Sequence, residues 1–205
     1  MLAALVYLAD LDTENFCGSY TVKAAQKGIS VASGALPRHI SLGSPHPVEN
    51  FEEYLHMAEE FAAVLSPLKV ILTGMEACRA KTGNREVCWL GFRYLENLQL
   101  EQARVQAAKW LAGQEIYLPD PDPVRGTRNL TLLIGEEDLG ACQSYAREVS
   151  ATATGRTAVF DQMGVFLYDG DTYGECDYFC CRRFRLRTRK EGSQQKLGGM
   201  YHVLR

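Results

Sequence analysis

His39 and Ser41 are the residues of this chain best placed to do chemistry together, and a near copy of their setting recurs ninety positions later at Asn129 and Thr131. The two stretches are Pro37-Arg38-His39-Ile40-Ser41-Leu42-Gly43 and Thr127-Arg128-Asn129-Leu130-Thr131-Leu132-Leu133. In each, an Arg is followed by a polar residue, an apolar residue, a hydroxyl residue and Leu. Side chains alternate between the faces of an extended strand, so His39 and Ser41 share one face while Ile40 and Leu42 share the other. The same division separates Asn129 and Thr131 from Leu130 and Leu132. Each stretch is therefore expected to be a strand with a polar side and a buried side. Imidazole titrates near neutrality and can take or give a proton during a reaction. A hydroxyl can donate a hydrogen bond from the same face, and the Asn carboxamide can donate or accept one without exchanging a proton near pH 7.

The flanking sequence predicts the elements that hold these strands. Leu2 to Ala9 is an apolar run that reads as a buried strand, and Asp12 or Thr13 is expected to cap a helix that runs through Phe16 and Tyr20 and stops at Gly28. After the His39 strand, Ser44-Pro45-His46-Pro47 reads as a turn. Asn50, with Glu53 three residues on, opens a helix whose apolar face is Phe51, Tyr54, Leu55, Ala58, Phe61, Ala62 and Leu65, and Ser66-Pro67 ends it. Strands are expected over 68–73 and 87–94, joined by a polar connection, and a third helix over about 100–111. Three prolines between Pro119 and Pro123 make a stiff, exposed loop. Past the Asn129 strand, Glu136, Glu137 and Asp138 open a fourth helix with Leu139, Cys142, Tyr145, Ala146 and Val149 on its apolar face. Strands over 157–160, 163–168 and 178–187 complete the pattern, and the polar, glycine-bearing segment 188–205 reads as a mobile tail. A motif strand, a capped helix and further strands thus occur twice, which an internal duplication of an α+β unit explains.

Composition bounds what the chain can be. With 46% hydrophobic and 23% charged residues it can bury a core without staples. A net charge of −3 gives no global attraction to nucleic acid, so any phosphate must be met by a local basic cluster. The apolar N-terminal run is too short to span a bilayer and has no basic residues before it, and the seven scattered cysteines suit reduced thiols in a cytoplasm.

The paired motifs resemble those of the two-histidine phosphoesterase superfamily, the group containing 2'-5' RNA ligases and cyclic phosphodiesterases, whose members carry two His-x-Ser/Thr-x motifs about this far apart. The first is complete here as His39-Ile40-Ser41-Leu42; in the second, Asn129 stands where the family has its other histidine, and Thr131 fits. The resemblance implies an α+β fold in which residues 1–187 form two pseudo-symmetric lobes of antiparallel sheet plus helices around a central cleft, with the motif strands side by side. It implies a nucleotide or RNA terminus with a phosphodiester as the partner, acid/base chemistry with no metal or cofactor, and no membrane. On that pattern His39 is the catalytic acid/base group, Ser41 and Thr131 clamp the phosphate, and Asn129 is a hydrogen-bonding replacement that lowers or abolishes turnover. The chain is then a phosphoesterase-like hydrolase of a 2',3'-cyclic phosphate or a 2'-5' linkage, or a binding module that uses the same cleft.

Other residues add to this site on weaker signals. Arg125 is a candidate phosphate ligand from the loop before the second motif, whereas Arg38 and Arg128 point away from their neighbours His39 and Asn129. Tyr168 and Tyr173 are candidates to stack on a base, against ordinary hairpin packing. His46 is the best placed histidine to compensate for Asn129. In the basic run Arg182 to Lys190, alternation puts Arg183, Arg185 and Arg187 on one face and Phe184 and Leu186 on the other, which is either a solvated edge or a track for an RNA backbone. Cys176, Cys180 and Cys181 lack a metal-binding spacing, and the aspartates at 120, 122, 169 and 171 read as turn residues.

Overall fold

Two runs of strand, helix, strand, helix, strand follow one another along the chain, and each gives up its last strand to the other. The computed structural model describes residues 1–29, 37–82, 85–135, 138–169 and 177–187. The elements are β1 (Leu2–Ala9), α1 (Leu11–Gln26), β2 (His39–Ser41), β3 (His46–Pro47), α2 (Phe51–Val64), β4 (Leu68–Thr82), β5 (Arg85–Tyr94), α3 (Leu98–Gly113), β6 (Asn129–Gly135), α4 (Leu139–Ala153), β7 (Thr157–Asp169) and β8 (Asp177–Arg185). The first run is β1, α1, β2, α2, β4, and the second is β5, α3, β6, α4, β7. The strands form one eight-stranded sheet in the order β2-β1-β7-β4-β5-β6, with β3 on β1 and β8 on β7, and all pairings are antiparallel. In the first lobe β7 therefore lies against β1, and in the second β4 lies against β5. The lobes are joined where the two exchanged strands meet, Leu68 to Ile71 against Thr157 to Phe160. This is the α+β, two-lobed antiparallel architecture expected from the motifs.

Local chemistry explains the boundaries. Asp10, not Asp12 or Thr13, caps α1: its carboxylate accepts from Thr13 N at 2.8 Å, while the Thr13 hydroxyl accepts from Val159 N at 2.9 Å and so fastens the helix to β7. Gly28, at φ +78°, ends it in a backbone conformation that favours glycine. Asn50 and Asp138 cap α2 and α4 at the starts the sequence predicts, and Asn97 caps α3, which begins two residues before the expected start. The polar connection expected after residue 78 is instead strand, because β4 continues to Thr82 in register with β5. The strands expected at 157–160 and 163–168 are one strand with a bulge, in which Asp161 has no partner on β1. Among the described residues no helix is long and apolar enough to cross a membrane.

The core lies between the sheet and its helices. Leu5, Tyr7, Ile40 and Leu42 face it from the first lobe, and Leu90, Phe92, Leu130 and Leu133 from the second. β1 is buried on both faces: Ala4, Val6 and Leu8 form a separate small cluster with Phe166 and Tyr168 on the side away from the helices. That second side, whose Ala4, Val6, Leu8 and Phe166 are buried, is the one expected to face the cleft.

Two buried arginines hold the motif strands together from the helix side. Arg38 donates from Nη1 to Leu132 O at 2.8 Å and from Nη2 to Thr21 Oγ1 at 2.9 Å, and Glu14 accepts its backbone N–H at 2.5 Å. Arg104 of α3 donates to Ser41 O at 3.2 Å and Thr127 O at 3.0 Å, and pairs with Glu101 at 2.8 Å. Both belong to the scaffold. Replacing Arg38 by Met leaves a buried carbonyl unpaired and removes charged hydrogen bonds worth about 1.5–3 kcal/mol each at best. We expect a loss of about 3 kcal/mol, seen in thermal unfolding as a Tm lower by roughly 6–12 °C for a chain of this size. An unchanged Tm would show that the bridge is dispensable.

Candidate functional site

The register places the motif residues on one face. His39 pairs with Leu8 and Ser41 with Val6, both residues of the cleft-floor cluster, so the imidazole and the hydroxyl stand on the cleft side of the first lobe. Asn129 pairs with Arg93 and Thr131 with Gly91, and β4 brings Glu76 and Cys78 to the same face of the second lobe, opposite Gly91 and Trp89. β2 and β6 lie alongside each other. His39 and Ser41 thus stand on the same side of the molecule as Asn129 and Thr131, on neighbouring strands.

His39 is half-buried, its ring edge-on to Phe166 with centroids 4.6 Å apart. Nδ1 lies 3.0 Å from Pro37 O, which can only accept, so Nδ1 carries the proton and Nε2 keeps a free lone pair. Burial pushes the imidazole down to about 4, the Arg38 charge adding to the effect and the Pro37 carbonyl opposing it. At neutral pH His39 is therefore a neutral base. Ser41 uses its carbonyl on Arg104, and its hydroxyl has no partner among the described residues.

The second lobe holds a network that surrounds Asn129. Arg93 donates from Nε to Glu76 at 2.5 Å and from Nη1 to Asn129 Oδ1, and its guanidinium lies over the Trp89 ring, 5.6 Å from the centroid. With its oxygen taken, Asn129 offers its Nδ2 hydrogens to a ligand. Trp89 Nε1 donates to Thr131 Oγ1 at 2.9 Å, so the threonine proton is free to donate in turn. The indole crosses Gly91, where a Cβ would sit 2.6 Å from the ring and 2.4 Å from Leu130 O. A hollow of about 370 Å³ opens beside Asn129, lined also by Thr73, Arg93, Thr127 and Arg128.

Other sequence expectations fare differently. His46 cannot compensate for Asn129: it is buried on the helix side, between Ser44 O at 3.1 Å and the Tyr54 hydroxyl at 2.8 Å. Burial lowers its pKa. Arg125 lines a different groove, of about 380 Å³, with Leu42, Arg104, Lys109 and Tyr117, which puts it behind the motif strands and apart from His39. Arg128 pairs with Glu96 at 3.0 Å on the surface. Tyr168 is on the cleft side but only 6% exposed, packed into the floor, so it offers a base no open ring face. Tyr173, Cys176 and Asp171 lie outside the described residues. Arg93, Glu76 and Trp89 went unnoticed in the sequence because nothing in a strand's own pattern says which residue lies opposite Asn129.

The depressed histidines give a pH signature. Between pH 6.5 and about 4 the unfolded chain protonates His39 while the folded protein does not, so stability is full above pH 6.5 and falls as pH drops through that window. His46 acts in the same direction. Tm measured from pH 7 to 4 is expected to decline less steeply in His39→Gln than in the native protein; equal slopes would refute the burial of the charge.

Solved structures share this architecture. TT0787 of Thermus thermophilus matches with a TM-score of 0.53 and 14% identity, over 93% of this chain and 100% of that one. E. coli LigT in its apo form matches with a TM-score of 0.50 and 14% identity, over 90% of this chain and 96% of that one. No protein-family model and no curated protein matches the sequence. At such identities the shared property is the fold.

Proposed function

We propose that the cleft binds a nucleotide or RNA phosphodiester, a 2',3'-cyclic phosphate or a 2'-5' linkage, and hydrolyses it slowly with one histidine; the fold shared with TT0787 and E. coli LigT and the paired motifs, which resemble those of two-histidine phosphoesterases, support this reading. The observation that supports this reading is that His39, Ser41, Asn129 and Thr131 stand on the same side of two neighbouring strands. Ser41 and Thr131 hydroxyls and the Asn129 amide donate to the non-bridging oxygens, and Arg93 supplies a positive charge beside them.

The reaction is acid/base hydrolysis with half its usual proton relay, and no step needs a metal. His39 Nε2 takes a proton from water as the water oxygen attacks phosphorus. The bond from phosphorus to the ribose oxygen breaks, leaving a phosphomonoester. The departing oxygen draws its proton from solvent, because Asn129 can hydrogen-bond to it but has no proton to give. A missing general acid typically slows such a step about 10²- to 10⁴-fold.

The test is product formation from an RNA oligonucleotide ending in a 2',3'-cyclic phosphate, with affinity measured on the same sample. Product at a slow rate supports the enzyme reading. Affinity without product supports capture alone, a second reading favoured by the lock between Arg93 and Asn129. Neither affinity nor product would sink both.

A further inference from the structure

The cleft floor does not end at the motif strand. Strand register extends it in two rows across the first lobe: Ser41, Val6, Gly164 and Arg183, and then His39, Leu8, Gln162 and Arg185. In both rows the four residues share a face, the one away from the helices, because Met163 and Val165 between them point into the helix-side core together with Phe184. Arg187 continues the alternation, and Leu186, beside it, is buried on the opposite side. Arg183, Arg185 and Arg187 are exposed, and among the described residues none of them has a carboxylate partner within ion-pair distance. Glu14 of α1, whose carboxylate accepts the Arg38 N–H, lies within electrostatic reach of Arg183.

The spacing suits a polyanion entering the cleft. β8 is three strands from β2, about 14 Å at the usual strand separation, and an arginine side chain shortens that gap from its end. Gly164 contributes no side chain to the row, and a Cβ there would meet Leu8 at 2.8 Å. The distance from the motif residues to the guanidinium groups is thus of the order of one to two nucleotides of extended chain, with the arginines repeating at alternate strand positions beyond it.

Resting on the cleft reading above, we propose that Arg183, Arg185 and Arg187 form a backbone track for single-stranded RNA, so that the protein takes the end of an oligonucleotide in preference to a mononucleotide. The net charge of −3 makes this stripe the local cationic cluster that such a partner requires.

The experiment compares affinities of the full chain for a 2',3'-cyclic mononucleotide and for a tetranucleotide with the same end, across a salt series, in the native protein and in R183Q/R185Q/R187Q. The native protein is expected to bind the tetranucleotide at least about tenfold more tightly. In the variant that ratio falls toward one, and the slope of log Kd against log salt drops by about 2, near 0.7 for each lost phosphate contact. R183K/R185K/R187K, which keeps the charge, is expected to retain most of the ratio and guards against loss of the edge strand itself. A mononucleotide that is bound or hydrolysed with no gain from length in either protein overturns the track and leaves the cleft reading standing. A tetranucleotide held through the arginines while the mononucleotide shows no affinity keeps the track and overturns the cleft reading. Polyglutamate competing as well as RNA at equal charge overturns the assignment to nucleic acid.

Discussion

Ring opening of a 2',3'-cyclic phosphate is expected to slow about 10²- to 10⁴-fold in His39→Ala, the range that one positioned acid/base group supplies. His39 is the group in the cleft able to take the proton from water, and its Nε2 is left free by the bond from Nδ1 to Pro37. Affinity should change far less, because Ser41, Thr131 and Asn129 still donate to the phosphate. The pH profile carries a second signature. With the imidazole held at about 4, kcat/KM is expected to stay level from pH 8 to about 5 and to fall below that as His39 protonates in the free protein. A bound phosphodiester carries a negative charge that favours the imidazolium, so kcat should begin to fall at a higher pH than kcat/KM does. A variant that keeps its rate, or a kcat/KM profile that breaks near pH 7, would remove His39 from the mechanism.

Placing a histidine at position 129 is expected to help less than the resemblance to a two-histidine pattern suggests. In Asn129→His the new imidazole lies against the Arg93 guanidinium, which now contacts Asn129 Oδ1. A neighbouring cation disfavours the imidazolium, and an imidazole that stays neutral cannot act as the general acid. A gain of under about tenfold is therefore expected from Asn129→His alone, out of the 10²- to 10⁴-fold that a general acid can contribute. Adding Arg93→Gln removes that cation and leaves Glu76, which favours the charged ring, so the double variant should exceed the single one by about tenfold or more. Product formation under single-turnover conditions reads both. If Asn129→His by itself recovers the full range, Arg93 does not control the site. If Arg93→Gln alone is the faster protein, the network restrains turnover by some route other than the histidine.

The polarity of each motif strand could be read from alternation alone, and the structure puts Ile40, Leu42 and Leu130 in the core as that alternation requires. Helix caps at Asn50 and Asp138 were equally legible, because a cap is a contact between residues three apart. What the sequence did not disclose is contact across the fold. Arg38 reads as a surface or phosphate-seeking residue until β6 is seen beside it, offering the carbonyl of a residue ninety-four positions away. Trp89 and Arg93 look like ordinary strand residues until their register sets them around Thr131 and Asn129. His46 had a plausible turn position but a buried partner, Tyr54, that its neighbours did not announce. Pairing partners, rather than faces, are the information that local periodicity lacks.

The exchange of terminal strands also sets an order on synthesis. β4, β5 and β6 are complete once residue 135 has been made, so the second lobe's sheet can close while the chain is still growing. β1 is the first strand made, but Leu5 waits for Val165 and Tyr7 for Met163 before the strand has its long partner. Until β7 emerges, an almost wholly apolar segment, Leu2 to Ala9, is sheltered only by what β2, β3 and the first two helices can offer. During synthesis the chain therefore carries an apolar strand that lacks its long partner until residues 160–168 have been made, the kind of transiently exposed surface that favours aggregation.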